Sequence, residues 1–134
     1  MTPTATEWAE LTKAARDASL RAYCPYSRFP VGAALLAQDG KIYAGCNVEN
    51  ASYGLTMCAE RNAVFHAVAS GMTSIRAMVL FTPTDHPTTP CGACRQVLNE
   101  FGPNALVRAV CNGTETIELT VAELLPQAFG PGNL

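Results

Sequence analysis

The chain has 134 residues, 49% of them hydrophobic, a net charge of −2 and a pI near 5.6. That length suits a single domain over residues 1–134, large enough to bury roughly two-thirds of its unfolded surface without disulfides. The acidic balance leaves no basic surplus for phosphates or an anionic bilayer, so neither nucleic acid nor a membrane is expected as a partner.

Thr4 to Tyr23 predicts a first helix, with Thr4 and Glu7 spaced as a capping box and Trp8, Leu11, Ala15, Ala18 and Ala22 recurring at helical intervals. After a loop from Tyr26 to Pro30, Val31 to Gln38 and Lys41 to Val48 read as antiparallel strands joined by a two-residue Asp39-Gly40 turn. Asn50 to Met57 is loop, and Cys58 to Ser70 is an Ala-rich helix closed by Gly71. Ile75 to Thr82 is apolar enough for a strand buried on both faces. Pro83 to Pro90 reads as loop, and Cys91 to Phe101 as a helix stopped by Gly102-Pro103. Ala105 to Cys111 and Thr116 to Thr120 are strands about a second hairpin signal, Asn112-Gly113, and Val121 to Phe129 is a short closing helix, interrupted at Pro126. The order predicts a three-layer α/β/α sandwich around a mixed five-stranded sheet. Its last two strands must run antiparallel, because a parallel crossover needs about a dozen residues or more.

The first six residues lack a basic region and an apolar core, and no apolar run approaches the ~18 residues that span a bilayer. A cytoplasmic protein with reduced cysteines is expected. Cys91 and Cys94 are spaced to share one helix face. Cys58 and Glu60, two apart, reach one site only if Cys58 stands at the first turn or cap of its helix. Three thiolates leave a tetrahedral zinc with an open fourth position, and Glu60 is then free as a base. Arg61 and two helix N-termini offset the negative charge of such a centre. Arg95, next to Cys94, has two readings, a bond to a ligand sulfur like that of Arg61 or plain solvation, and the second is favoured. Alone, Cys91-x-x-Cys94 also fits a redox dithiol or half of a structural zinc cluster. Cys24, Cys46 and Cys111 read as small buried hydrophobes, and His66 and His86 as structural or exposed. Residue type alone makes Phe29 core, and Asn47 and Glu49 ordinary residues leaving a strand.

With Cys58-Ala59-Glu60 followed by Pro90-Cys91-Gly92-Ala93-Cys94, the chain resembles the small zinc cytidine deaminases. The likeness extends to Tyr23-Cys24-Pro25-Tyr26-Ser27, Phe29-Pro30-Val31-Gly32-Ala33-Ala34-Leu35, Gly45-Cys46-Asn47-Val48-Glu49-Asn50 and Phe129-Gly130. It implies one Zn²⁺ per chain on Cys58, Cys91 and Cys94, with Glu60 as proton shuttle. It also implies that Asn47 and Glu49 hold the ribose hydroxyls, that Phe29 packs on the pyrimidine and that Ala59 touches substrate. The family forms homotetramers with shared sites, in which Phe129 would stack on a neighbour's base and Tyr53 reach its sugar. The implied reaction is attack of zinc-bound water on C4 of cytidine or 2′-deoxycytidine, releasing ammonia and leaving the uridine nucleoside. The resemblance does not rank the two sugars. An antibiotic-directed deaminase shares the metal motifs, but Asn47-Val48-Glu49 and Phe129-Gly130 favour the nucleoside. A nucleic-acid-editing deaminase would want a basic path, and a zinc-stabilised interaction module would need neither Glu60 nor an open coordination position.

Overall fold

A computed structural model describes residues 2–134. Five strands, β1 (Gly32–Ala37), β2 (Ile42–Cys46), β3 (Ile75–Phe81), β4 (Leu106–Val110) and β5 (Ile117–Thr120), form one sheet in the order β2-β1-β3-β4-β5. Only β3 and β4 run parallel, and they are the pair joined by a helical crossover. Side chains alternate across β1 and β3, and the alternation builds two cores. Ala34, Leu36, Ala77, Val79 and Phe81 meet Trp8, Leu11 and Ala15 of α1 (Ala5–Ser19) on one face. Ala33, Leu35, Met78 and Leu80 meet α2 (Ala59–Ala69), α3 (Gly92–Phe101) and α4 (Val121–Leu124) on the other. The predicted three-layer α/β/α sandwich with an antiparallel final pair is the fold observed.

The capping box forms as predicted: Glu7 N donates to Thr4 Oγ1 at 3.1 Å and Thr4 N to Glu7 Oε1 at 3.0 Å. Four other expectations need correction. First, α1 ends at Ser19 rather than Tyr23. The chain leaves the helix early because Tyr23 bridges to Val48, its N–H donating to Asn47 O at 3.0 Å, and this draws the 25–30 loop across the end of the sheet. Second, the β1–β2 turn has three residues, not two. Ala37 N donates to Lys41 O at 2.8 Å, and Gly40 takes the left-handed φ of +86°. Third, β4 and β5 are separated by residues 111–116, not by a two-residue turn at Asn112-Gly113. Gly113 serves a close approach: a Cβ there would stand 2.4 Å from Asp85 O. Fourth, α4 is one turn long and does not reach Phe129; the chain turns away after Leu125, with Gln127 at φ 53°.

One glycine fixes where α2 begins. A Cβ on Gly45 of β2 would lie 2.4 Å from Ala63 N and 2.8 Å from Ala59 O, so helix and strand touch backbone to backbone at the turn that carries the site. Gly45→Ala is therefore expected to cost about 1–3 kcal/mol through overpacking, read as a lower urea midpoint with an unchanged slope. An unaltered midpoint would mean that α2 can slide outward freely.

Candidate active site

The N-termini of α2 and α3 converge beside the carboxyl end of β3. Cys58 is the N-cap of α2 and Cys91 the N-cap of α3, both in extended backbone conformation, while Cys94 lies buried in the first turn of α3. The expected cap position of Cys58 is thus observed, and it lets Cys58 and Glu60 face the same space. The three sulfurs all lie within 4.8 Å of one another, and Cys58 Sγ is 3.9 Å from Cys91 Sγ. Sulfurs bound tetrahedrally at ~2.3 Å from zinc would be about 3.8 Å apart, so the donor set fits one ion in both chemistry and spacing. Among the described residues no other group of three such side chains gathers in this way.

Charge is arranged around the thiols. Cys58 is lowered to about 5, first by the hydrogen bond it accepts from Cys94, and further by Arg61, whose Nη2 donates to its sulfur at 3.4 Å. Cys94 is raised, because it holds the proton that Cys58 accepts and because it is buried near Glu60. Arg61 Nε is buried with no partner, leaving an unused donor beside an anionic cluster. Glu60 is 5% exposed, and burial foremost, with the Cys58 charge adding, raises its carboxyl to about 7. An acid held near neutrality can give and take protons at working pH.

A cavity of about 440 Å³ opens above these groups. Phe29, Asn47, Glu49, Ala59 and Glu60 line it together with Cys58 and Cys91. Phe29 is therefore not core, as residue type alone suggested, but 38% exposed at a cavity wall. Asn47 and Glu49 are not idle strand-end residues either. Asn47 ties the wall in place, its Oδ1 accepting from Val31 N at 2.8 Å and its Nδ2 donating to Phe29 O at 2.9 Å. Glu49 accepts from the amides of Tyr26 and Ser27 at 3.0 and 3.1 Å and from the Ser27 hydroxyl, and the Ser27 hydroxyl foremost holds its carboxyl below the usual range.

Tyr53 and Phe129 lie outside this cavity, 75% and 60% exposed. Tyr53 stands edge-on to Tyr26 at 5.9 Å in an adjoining hollow that shares Ser27, Glu49 and Thr56. Phe129 is held by its carbonyl, which accepts from Gln96 Nε2 at 2.9 Å. His66 and His86 are exposed and remote from the thiols, bonded to Ala44 O and Glu115. Cys111 is buried as expected, whereas Cys24 and Cys46 are only partly so.

Two features escaped the sequence reading. Beside Thr89, the hydroxyl kept before the Pro90-Cys91 pair, the cavity wall includes Thr82 and Thr88, which no motif distinguishes from ordinary strand-end and loop threonines. Arg95 is not solvated: its guanidinium donates to Pro90 O, Leu124 O and Thr89 Oγ1 at 2.7, 2.9 and 2.9 Å. An arginine one residue past a buried cysteine, after a loop ending in proline, was the available signal.

The family model for the cytidine and deoxycytidylate deaminase zinc-binding region matches residues 6–110. Cytidine deaminase of Sporosarcina psychrophila is 49% identical over 126 residues, covering 93% of both chains. That of Halalkalibacterium halodurans is 51% identical over 120 residues, covering 89% of this chain and 91% of the relative. The crystal structure of cytidine deaminase from Burkholderia pseudomallei superposes with a TM-score of 0.87 at 47% identity, covering 90% of this chain and 98% of that one. The clustered thiols with a buried acid beside them therefore sit in a chain that belongs to the cytidine and deoxycytidylate deaminase family of zinc-binding proteins.

Proposed function

We propose that this chain, acting as one catalytic unit over residues 1–134, hydrolyses cytidine and 2′-deoxycytidine to the uridine nucleosides and ammonia. The observation that carries the reading is the buried Glu60 carboxyl facing a nucleoside-sized cavity beside three converging thiols. Cys58, Cys91 and Cys94 hold the zinc, and Arg61 offsets their charge. The chemistry zinc supplies there is Lewis acidity toward water. Glu60 takes a proton from the attacking water, delivers it to ring N3 as C4 is attacked, and carries a second proton to the departing amine. Phe29 and Ala59 pack against the base. Glu49, its carboxylate already oriented by Ser27 and Tyr26, accepts from a sugar hydroxyl, and Asn47 offers its remaining amide proton to another.

The deciding experiment follows the fall in absorbance near the cytosine maximum when zinc-quantified protein meets cytidine, deoxycytidine and their 5′-monophosphates. Both nucleosides are expected to react. The cavity lining contains no Lys or Arg among the described residues and presents Glu49 toward the sugar end. The monophosphates should therefore be slower by roughly 10²-fold or more in kcat/KM. Equal rates on nucleotides would move the assignment to the deoxycytidylate side of the family, and no reaction with either nucleoside would refute it.

The exposed Phe129 and Tyr53 support a homotetramer with shared sites, in which each reaches a neighbour's substrate. Light scattering should give four chains, and Phe129→Ala should raise KM more than it lowers kcat. A fully active monomer contradicts both statements. No helix among the described residues is long and apolar enough to cross a membrane. The reduced thiols that the ligand roles require support a cytoplasmic location.

A further inference from the structure

We propose that Arg95 is a positioning residue for the metal centre, bracing the α3 thiols in ligating geometry against the hydrophobic core. The inference rests on the ligand roles given above to Cys91 and Cys94.

Cys91 has little to hold it. It is exposed, and its side chain makes no capping hydrogen bond. The residue before it, Pro90, is fully buried, has no N–H, and has a carbonyl that lies outside the helix, whose first bond runs from Arg95 N to Cys91 O at 3.0 Å. The donor to that buried Pro90 carbonyl is Arg95 Nε at 2.7 Å. A ring is thereby closed from residue 95 back to residue 90, and Cys91 and Cys94 both lie inside it. The backbone angles within that ring set the direction of the Cys91 sulfur toward Cys58.

The other two nitrogens of the guanidinium anchor the ring outward. Nη2 donates at 2.9 Å to Thr89 Oγ1, on the cavity wall, and Nη1 at 2.9 Å to the carbonyl of Leu124, whose side chain is buried in the core under α3. Three acceptors on two chain segments are matched by one planar fork, a geometry that an ammonium on a flexible stem cannot reproduce. Loss of the fork should loosen zinc rather than remove a ligand. The same change moves Thr89 and so should also weaken substrate binding.

The test measures the rate at which zinc-loaded protein gives up its metal to a chromophoric chelator in excess. Arg95→Ala and Arg95→Lys are expected to release zinc about 10–100-fold faster than the parent, the range seen when groups orienting metal ligands are removed. Thr89→Val, which keeps two of the three bonds, should release it only about threefold faster. At saturating zinc, KM for cytidine should rise more than kcat falls. Thr4→Ala, which removes the α1 cap on the opposite side of the sheet, should lower Tm yet leave zinc release at the parent rate. A folded Arg95→Lys that releases zinc within about twofold of the parent overturns the inference, and so does a Thr4→Ala that releases it as fast as the Arg95 variants. If Arg95→Ala does not fold, the lysine and Thr89 variants decide. Cys91→Ala tests the ligand reading separately: unchanged zinc release in that variant refutes the ligand set, whatever Arg95 does.

Discussion

Replacing Glu60 by Gln is expected to lower kcat for cytidine by about 10²–10⁴-fold or more while zinc content stays at the parental level. The amide keeps the shape of the carboxylate but can neither take a proton from water nor deliver one to N3 and the amine. Because Glu60 is not among the three clustered sulfurs, metal analysis separates loss of the shuttle from loss of the site. The same variant should change stability in the opposite sense. In zinc-free protein the folded Glu60 carboxyl is raised from 4.5 to about 7 by burial. Its contribution to stability is therefore fully present below about 4.5 and is lost as pH rises through about 7, where a buried charge must be carried. Zinc-free Glu60→Gln escapes that cost. It should exceed the zinc-free parent by on the order of 2–3 kcal/mol at pH 8 and by little at pH 5, measured by urea titration. Substantial turnover in Glu60→Gln would sink the shuttle, and a stability difference that does not vary with pH would remove the argument from burial.

The layers and the strand directions were legible in the sequence because they follow from periodicity and chain length. Ala33, Leu35 and Met78 point one way and Ala34, Leu36 and Val79 the other, as alternation requires. The turns were less legible for one physical reason. A Gly in a turn-like pair signals either a left-handed φ or a close approach, and the sequence does not say which. Gly40 has the first use, Gly113 the second. The early end of α1 has a similar cause, since Tyr23 would continue a helix by local preference but is claimed by the distant Val48.

At the site, the sulfurs and Glu60 could be placed from spacing alone, because the cap position is the one geometry that serves both Cys58 and Glu60. The places of Asn47, Glu49 and Phe29 on the cavity wall could not, since they depend on a loop packed across the end of β2 and leave no local pattern. The Arg95 network leaves no local pattern for the same reason. Its three acceptors lie at positions 89, 90 and 124, so the network exists only once the chain is folded.

Removing one sulfur should be more damaging to the metal than removing Arg95. Structural sites with four protein ligands bind zinc with an apparent free energy of about 10–16 kcal/mol, roughly 2.5–4 kcal/mol per ligand, so Cys91→Ala should weaken zinc by about 10²–10³-fold. Metal content after dialysis against a chelator, and turnover with it, should then approach zero. The thiols also predict how zinc uptake depends on pH. Cys58, lowered to about 5, is already a thiolate at neutrality, whereas Cys94 retains its proton because it donates it to Cys58. Loading the site must therefore expel the Cys94 proton, so affinity falls as pH falls, and falls more steeply in acid, where Cys58 also becomes protonated. Calorimetric zinc titrations at pH 7.5 in buffers of different ionisation enthalpy should show net proton release. Release that is unchanged in Cys94→Ala would mean that the proton comes from elsewhere. Parental zinc content in Cys91→Ala would mean that the exposed sulfur of α3 is not a ligand.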